Sequence, residues 1–171
     1  MAAISVTTLD RRLARVMEPR AATPERRLET IAALAAAGVP VGVMSAPMIP
    51  ALNDSEMEQI LERARAAGAT SAAYTLLRLP LELKELFKEW LEAHFPARAS
   101  HVLSLVAQTH GGRLYDSAWF KRKTGTGAYA DVLRLRFERA CRRLGFNART
   151  TQPLDTSRFT PPQKGDQLAL F

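Results

Sequence analysis

The residues best able to do chemistry in this chain are one cysteine and three histidines. Cys141 falls on the apolar face of a predicted helix, where a cysteine usually acts as a small buried hydrophobe rather than as a ligand or hydrogen donor. His94, His101 and His110 do not form a tight metal-binding set, because Pro96 breaks any helix that would join the first two. A single cysteine also excludes an internal disulfide framework and a multi-cysteine metal site. We therefore expect no metal site within this chain.

Basic side chains are concentrated in one part of the chain. The 171 residues carry a formal net charge of +7, and residues 119–149 hold nine basic and two acidic side chains, while the flanking segments are neutral overall. Clustered lysine and arginine neutralise phosphates, which favours nucleic-acid binding without sequence preference, and an ordinary solvated helix is the open alternative. The candidate nucleic-acid contacts are Lys121, Arg122, Lys123, Arg134, Arg139, Arg142 and Arg143.

Alternating strands and helices are predicted for residues 1–80. Short β-branched runs predict strands at 3–7, 39–45 and 71–77. The helices between them begin at Thr23-Pro24 and at 53–55, and each ends at a glycine that follows two alanines. Two successive strand–helix units imply right-handed crossovers and a parallel sheet, with ligands gathering at the carboxyl ends of its strands.

Helical periodicity replaces this alternation after residue 80. Apolar residues recur at helical spacing in three segments, and the last runs from about Ala128 to Leu144 with Val132 on its apolar face. The remainder, rich in Thr, Pro, Gln and Asp, is expected to be unstructured. Three parallel strands with two open edges form a poor free-standing sheet, so the chain looks like part of a larger fold.

A set of linked motifs occurs along the chain, in the order Ser5–Asp10, Met17–Ala21, Pro24–Leu28, Ala37–Val41, Ala46–Asp54, Leu77–Pro80 and, more weakly, Arg113–Ser117. As a set these motifs resemble the radical SAM superfamily, and most closely its branch related to spore photoproduct lyase, the DNA repair photolyase-like proteins. Together they cover most of the chain up to about residue 145. The resemblance implies a partial (βα)6 barrel that uses S-adenosylmethionine as its radical source and holds a 4Fe–4S iron–sulfur cluster through three closely spaced cysteines.

That cysteine triplet is absent from this sequence. The resemblance therefore implies an α/β fold comprising the second half of the barrel, about three parallel strands with outer helices, followed by an α-helical C-terminal extension. The expected divisions are a half-barrel at 1–80, a basic helical extension at 81–149 and a flexible tail at 150–171. One cysteine cannot hold a cluster that needs several thiolates, so we expect no radical chemistry from this chain alone.

The resemblance also assigns the ends of the three strands to the S-adenosylmethionine site. Ser5 and Thr7 would hydrogen-bond the ribose or the methionyl group, and Arg20 would pair with the carboxylate. The residues assigned to the adenine are Met44, Ser45, Arg78 and Leu79. The alternative for each is an ordinary strand residue or surface charge, because similarity identifies a region better than a role. No catalytic residue is assigned.

The last five residues resemble the peptide with which bacterial polymerases and repair proteins bind the replicative sliding clamp. A short extended peptide on a flexible tether can place its apolar side chains in a pocket of the clamp. The expected clamp contacts are Gln167, Leu168, Leu170 and Phe171, while Ala169 departs from the preferred Ser or Asp. The alternative is an apolar C-terminus that folds back onto the body.

The function expected from these features is that of the C-terminal part of a radical SAM enzyme, with possible DNA and clamp partners. The alternatives are a non-catalytic DNA- or sliding-clamp-associated module and a fragment with no independent function. The sequence has no secretory signal and no apolar run near the roughly 20 residues needed to span a bilayer, so a cytoplasmic protein without membrane contact is expected.

Overall fold

A single parallel sheet organises the first half of the chain. The computed structural model describes residues 1–115, 123–146, 157, 160 and 161. Strands β1 (Ala2–Ser5), β2 (Val41–Met48) and β3 (Ser71–Leu76) pair in the order β1-β2-β3, and both pairs are parallel. This confirms the expected α/β class with three parallel strands.

Three helices lie along the strand connections. They are α1 (Arg11–Met17), α2 (Pro24–Ala36) and α3 (Met57–Ala66), and a single 3-10 turn precedes α3. The Thr23 hydroxyl caps α2 by accepting from the backbone N–H of Arg26, as its position before a proline predicts. Helix α1 was not expected from the sequence.

The second half of the described chain is helical, as predicted. It contains α4 (Leu83–His94), α5 (Ala99–Gln108) and α6 (Ala128–Leu144), the last with the expected bounds. One expectation is wrong: Val132 is 53% exposed, so it lies outside the buried face of α6. No helix in the described ranges is long and apolar enough to cross a membrane.

The main hydrophobic core lies between the sheet and helices α2, α3 and α6. Its fully buried members include Ile31 of α2, Val43 of β2, Ile60 of α3 and Leu133 of α6. Burial of each such side chain stabilises the fold by about 1.5–3 kcal/mol. Helix α6 therefore packs into the same core as the strands, although it follows β3 by about fifty residues. The division of the chain at residue 80 stays a prediction.

A second core joins α1, α4 and α5 to the loops that leave the strands. Leu91 of α4 and Val102 of α5 are fully buried against Ile49 and Leu79, which follow β2 and β3. Trp90 adds a polar link, because its indole N–H donates to the carbonyl of Val16 at the end of α1. The helical pair α4–α5 therefore packs against the loops that leave β2 and β3.

Candidate functional site

A cleft of about 360 Å³ lies beside the carboxyl end of β1. Its walls come from α1, the loop that leads to α2 and the first turn of α2, while two threonines follow directly from β1. This is the edge at which parallel α/β sheets bind their ligands. The hydroxyl-bearing and charged residues that line the cleft are Thr7, Thr8, Arg11, Arg15, Glu18, Thr23 and Arg27.

Thr7 is buried where the strand, the loop and α2 meet. Its Oγ1 lies 2.9 Å from Glu18 Oε2 and 3.1 Å from the carbonyl oxygen of Ala46. Arg27 donates to the same Glu18 oxygen at 2.8 Å and to the Ser5 carbonyl at 3.0 Å. One oxygen of Glu18 is thus held by two donors, so this carboxylate has a defined position in the cleft.

Glu56 holds the next residues of the same segment. Thr8 Oγ1 lies 2.9 Å from both carboxylate oxygens of Glu56, and the backbone N–H of Leu9 donates to Oε2. The Asn53 amide adds a further link by donating to the Thr7 carbonyl at 2.8 Å. The segment that leaves β2 therefore fixes the end of β1.

Two charged side chains of the cleft, Arg15 and Glu18, have atoms that can still bind a ligand. Arg15 is exposed and makes no ion pair or side-chain hydrogen bond within the described part of the chain. Glu18 is 35% exposed, and its hydrogen bonds involve Oε2, which leaves Oε1 able to accept. Arg11 is bound to Glu25 at 2.8 Å and holds the pKa of that carboxyl below its usual range. Arg15 and Glu18 together fit a ligand that carries both a carboxylate and an ammonium group.

Ser5, Thr7 and Arg20, which were expected at the ribose and the methionyl group, do not all line the cleft. Thr7 lines the cleft. Ser5 is exposed on β1, and its Oγ donates to the Ala46 carbonyl at 2.9 Å. Arg20 is also exposed, and it does not line the cleft although its neighbours Pro19 and Ala21 do.

The residues expected at the adenine from the second strand lie inside β2 and do not line this cleft, because the strand continues past residue 45 to Met48. Met44 is half-buried and pairs in register with Ser5 and Ala73 of the neighbouring strands. Ser45 is fully buried, and its Oγ lies 3.6 Å from the sulfur of Met48. The Ser45 side chain is therefore packed inside the protein.

The two residues expected at the adenine beyond β3, Arg78 and Leu79, differ from each other. Leu79 is buried in the second core, so its side chain serves packing. Arg78 is half-buried, and its Nη2 lies 3.4 Å from the hydroxyl of Tyr115. Within the described part of the chain, its buried Nε has no hydrogen-bond acceptor. Arg78 thus retains a donor at the end of β3.

Four charged residues of the cleft were missed, three of them because α1 was not expected. Arg11, Arg15 and Glu18 reach the cleft because α1 and its following loop fold beside β1, and Arg27 reaches it from the first turn of α2. The signal for this helix is present in the sequence. Asp10 caps it by accepting from the N–H groups of the next turn, and apolar residues follow at helical spacing.

The arginines of α6 do not form one uniform basic face. Arg136 binds Glu58 at 2.7 Å, Arg143 binds Glu62 at 2.6 Å, and Arg134 binds two acidic residues of its own helix. Within residues 123–146, the exposed basic residues without an ion pair among those described are Lys123, Arg139 and Arg142. Acidic residues of α3 thus neutralise part of the charge that the sequence concentrates here. Nucleic-acid binding stays a prediction.

Several predicted contacts lie outside the described residues. They are Lys121 and Arg122 of the basic segment and Gln167, Leu168, Leu170 and Phe171 of the tail. Clamp binding by the tail therefore stays a prediction.

Cys141 is buried in the main core, as its place on the apolar face predicts. Desolvation raises the pKa of its thiol to about 11, so the thiolate form that binds metals is disfavoured. Within the described ranges, no three His, Cys, Asp or Glu side chains are grouped so that they could hold a metal ion.

Residues 1–64, which run from β1 into α3, match the family model described as the Radical SAM superfamily. Two curated relatives are each 36% identical over 105 residues: Uncharacterized protein Rv2578c of Mycobacterium tuberculosis and Uncharacterized protein Mb2609c of Mycobacterium bovis. The alignment covers 60% of this chain and 31% of each relative, so the match spans about a third of their length. No solved structure matches the chain significantly. The similarity to the radical SAM superfamily therefore extends over residues 1–64.

Proposed function

We propose that this chain supplies the second half of the barrel of a radical SAM enzyme of the DNA repair photolyase-like branch. In this proposal the cleft beside β1 holds the methionyl end of S-adenosylmethionine. The observation that carries it is that Arg15, which has no ion pair among the described residues, lines the same cleft as the fixed carboxylate of Glu18. All residues that line the cleft fall within the segment that matches the family model.

The charges of the cleft fit the amino-acid part of S-adenosylmethionine. Arg15 would bind its carboxylate, and the free oxygen of Glu18 would accept from its ammonium group. Thr7 and Arg27 hold the other oxygen of Glu18, so little ordering is needed when the ligand binds. Ser45 and Leu79 are buried, so we assign the adenine to the end of β3, where the buried Nε of Arg78 has no acceptor among the described residues. When bound, the cofactor supplies a sulfonium centre whose reductive cleavage yields a radical.

An iron–sulfur cluster does not fit the residues of this chain. Such clusters are held by several cysteine thiolates, whereas this sequence contains Cys141 alone. That thiol lies in the core between α6 and α3, and burial raises its pKa to about 11. We therefore assign the cluster to cysteines outside this sequence and assign no step of radical chemistry to this chain.

The test is equilibrium dialysis of the purified chain with radiolabelled S-adenosylmethionine. Replacing Arg15 by glutamate is expected to weaken binding by about tenfold or more, because an attraction for the ligand carboxylate becomes a repulsion. The control is Arg63→Glu, which makes the same charge change on the exposed surface of α3. The proposed site would be contradicted if the two substitutions changed the affinity equally. It would also be contradicted if binding of S-adenosylmethionine did not saturate. Circular dichroism establishes that both variants fold.

The assignment to a DNA repair branch extends the proposal to the tail. There Gln167-Leu168-Ala169-Leu170-Phe171 would bind the sliding clamp and deliver the enzyme to DNA. A pull-down with purified bacterial clamp, using the full chain and a variant that ends at Asp166, tests this part separately. Equal capture of the two proteins would remove the clamp from the proposed function and leave the cleft unaffected.

A further inference from the structure

The outward side of α6 carries a stripe of four exposed residues. Val132, Leu135, Arg139 and Arg142 recur at spacings of three and four, which places them on one side of the helix. We name these four residues the outer stripe. Val132 and Leu135 are 53% and 54% exposed, although the inner side of the same helix is buried against α3 and the sheet. The helix thus has apolar side chains on two faces.

The charge of the outer stripe is available to a partner. Arg139 and Arg142 make no ion pair or side-chain hydrogen bond within the described part of the chain. The other arginines of α6 differ, because Arg136 and Arg143 are bound to acidic residues of α3. The structure therefore separates arginines that hold the fold together from two arginines that face solvent beside aliphatic side chains.

This combination suits a protein surface better than a nucleic-acid backbone. Surfaces that bind DNA are strongly positive and polar, since they neutralise rows of phosphates. Half of the outer stripe is aliphatic, and two exposed carboxylates, Asp131 and Glu138, flank it on the same helix. Arg134 pairs with both carboxylates, so these three groups add no free positive charge that would attract phosphates, whereas arginine beside exposed apolar side chains is typical of surfaces that bind proteins.

We propose that the outer stripe of α6 is a docking surface for a protein partner. Charge complementarity specifies the chemistry of that partner: an apolar groove that accepts Val132 and Leu135, bordered by aspartate or glutamate side chains that pair with Arg139 and Arg142. The surface involves no residue of the cleft beside β1, so this inference does not depend on cofactor binding there.

The first experiment places a photo-crosslinking amino acid at position 135 of the full chain, in its native cells. The crosslinked protein is identified by mass spectrometry, purified and titrated against the unmodified chain. We expect Arg139→Glu with Arg142→Glu to weaken binding by about tenfold or more, because two attractions become repulsions. Affinity should also fall as salt is raised.

Two further variants complete the test. The control is Arg63→Glu with Arg113→Glu, which changes the charge equally at exposed residues that have no ion pair within the described part of the chain. This control should leave the affinity for the partner within about twofold of that of the unmodified chain. Leu135→Ser should weaken binding through the loss of an apolar contact, with the circular dichroism spectrum unchanged. Crosslinks to nucleic acid alone, crosslinks to residues 147–171 of the same chain alone, or no crosslink at all would each overturn the proposal. A partner whose affinity survives charge reversal at Arg139 and Arg142 would overturn it as well.

Discussion

Replacing Arg136 by methionine tests whether an ion pair between two helices stabilises this fold. Arg136 Nε and Nη2 donate to the two oxygens of Glu58 at 2.8 and 2.7 Å, and Nη2 also donates to the Asp54 carbonyl at 2.9 Å. Both side chains of the pair are 32% exposed. The contacts join α6 to α3 and to the turn that precedes it.

The expected loss follows from these contacts. A hydrogen bond between charged groups contributes about 1.5–3 kcal/mol, and partial exposure of the pair reduces this value. The Asp54 carbonyl also loses a donor in a buried residue. We therefore expect Arg136→Met to lower the free energy of unfolding by about 2 kcal/mol, since methionine retains much of the side-chain volume.

Arg134→Met is the matched control on the same helix. Arg134 also binds two carboxylates, Asp131 at 3.4 Å and Glu138 at 3.2 Å, but all three side chains are well exposed. Exposed pairs within one helix contribute about 0.3–0.5 kcal/mol each, so this substitution should cost less than about 1 kcal/mol. Urea unfolding followed by circular dichroism measures both losses. Equal losses, or a loss below about 0.5 kcal/mol for Arg136→Met, would refute the assignment of stability to this interhelical pair.

Three further predictions concern single groups. The hydrogen bond to Arg136 holds the pKa of Glu58 below its usual 4.5. The stability that the Glu58 carboxylate contributes should therefore be complete above pH 4.5 and decline as the pH falls through the folded-state pKa. With Glu58→Gln, the urea midpoint of unfolding should depend less on pH below about pH 5. The thiol of Cys141 should react slowly with iodoacetamide at about pH 8 and quickly in urea, and equal rates would contradict its burial. Gly125→Ala should lower the free energy of unfolding by about 2 kcal/mol, because its Cβ would lie 2.8 Å from the Thr109 carbonyl oxygen at a φ of +73°. Gly38→Ala has the same strain at φ +74° with open space around it, and should cost about 1 kcal/mol.

Local patterns predicted the elements of the fold well. Thr23-Pro24 marks the start of α2, and the bounds of α6 follow from its apolar periodicity. Both signals act within a few residues along the chain, so they can be read without a structure. The seven residues of α1 are too short for a clear periodicity, and the Asp10 cap was the main sign of this helix.

The candidate site was predicted only in part, because its residues meet through tertiary packing. Thr7 follows a strand and could be identified by that position. Glu18 and Arg27 enter the cleft only once α1 and α2 lie beside the end of β1. Ser45 and Leu79 were expected at the site by the same rule, but Ser45 lies inside β2, which continues to Met48, and both side chains are buried. Position at the end of a strand identifies a region, whereas packing decides which side chains face the ligand.

The sequence by itself determined the alternation of strands and helices, the place of the basic segment and the absence of a cysteine set for a cluster, since these depend on composition and local order. Only the tertiary structure decided which charges remain free. Arg136 and Glu58 are 78 positions apart, and packing of α6 on α3 brings them together. The same packing turns the stripe that includes Arg139 and Arg142 outward. Long-range packing converts a run of positive charge into interhelical ion pairs on one side of α6 and an open surface on the other.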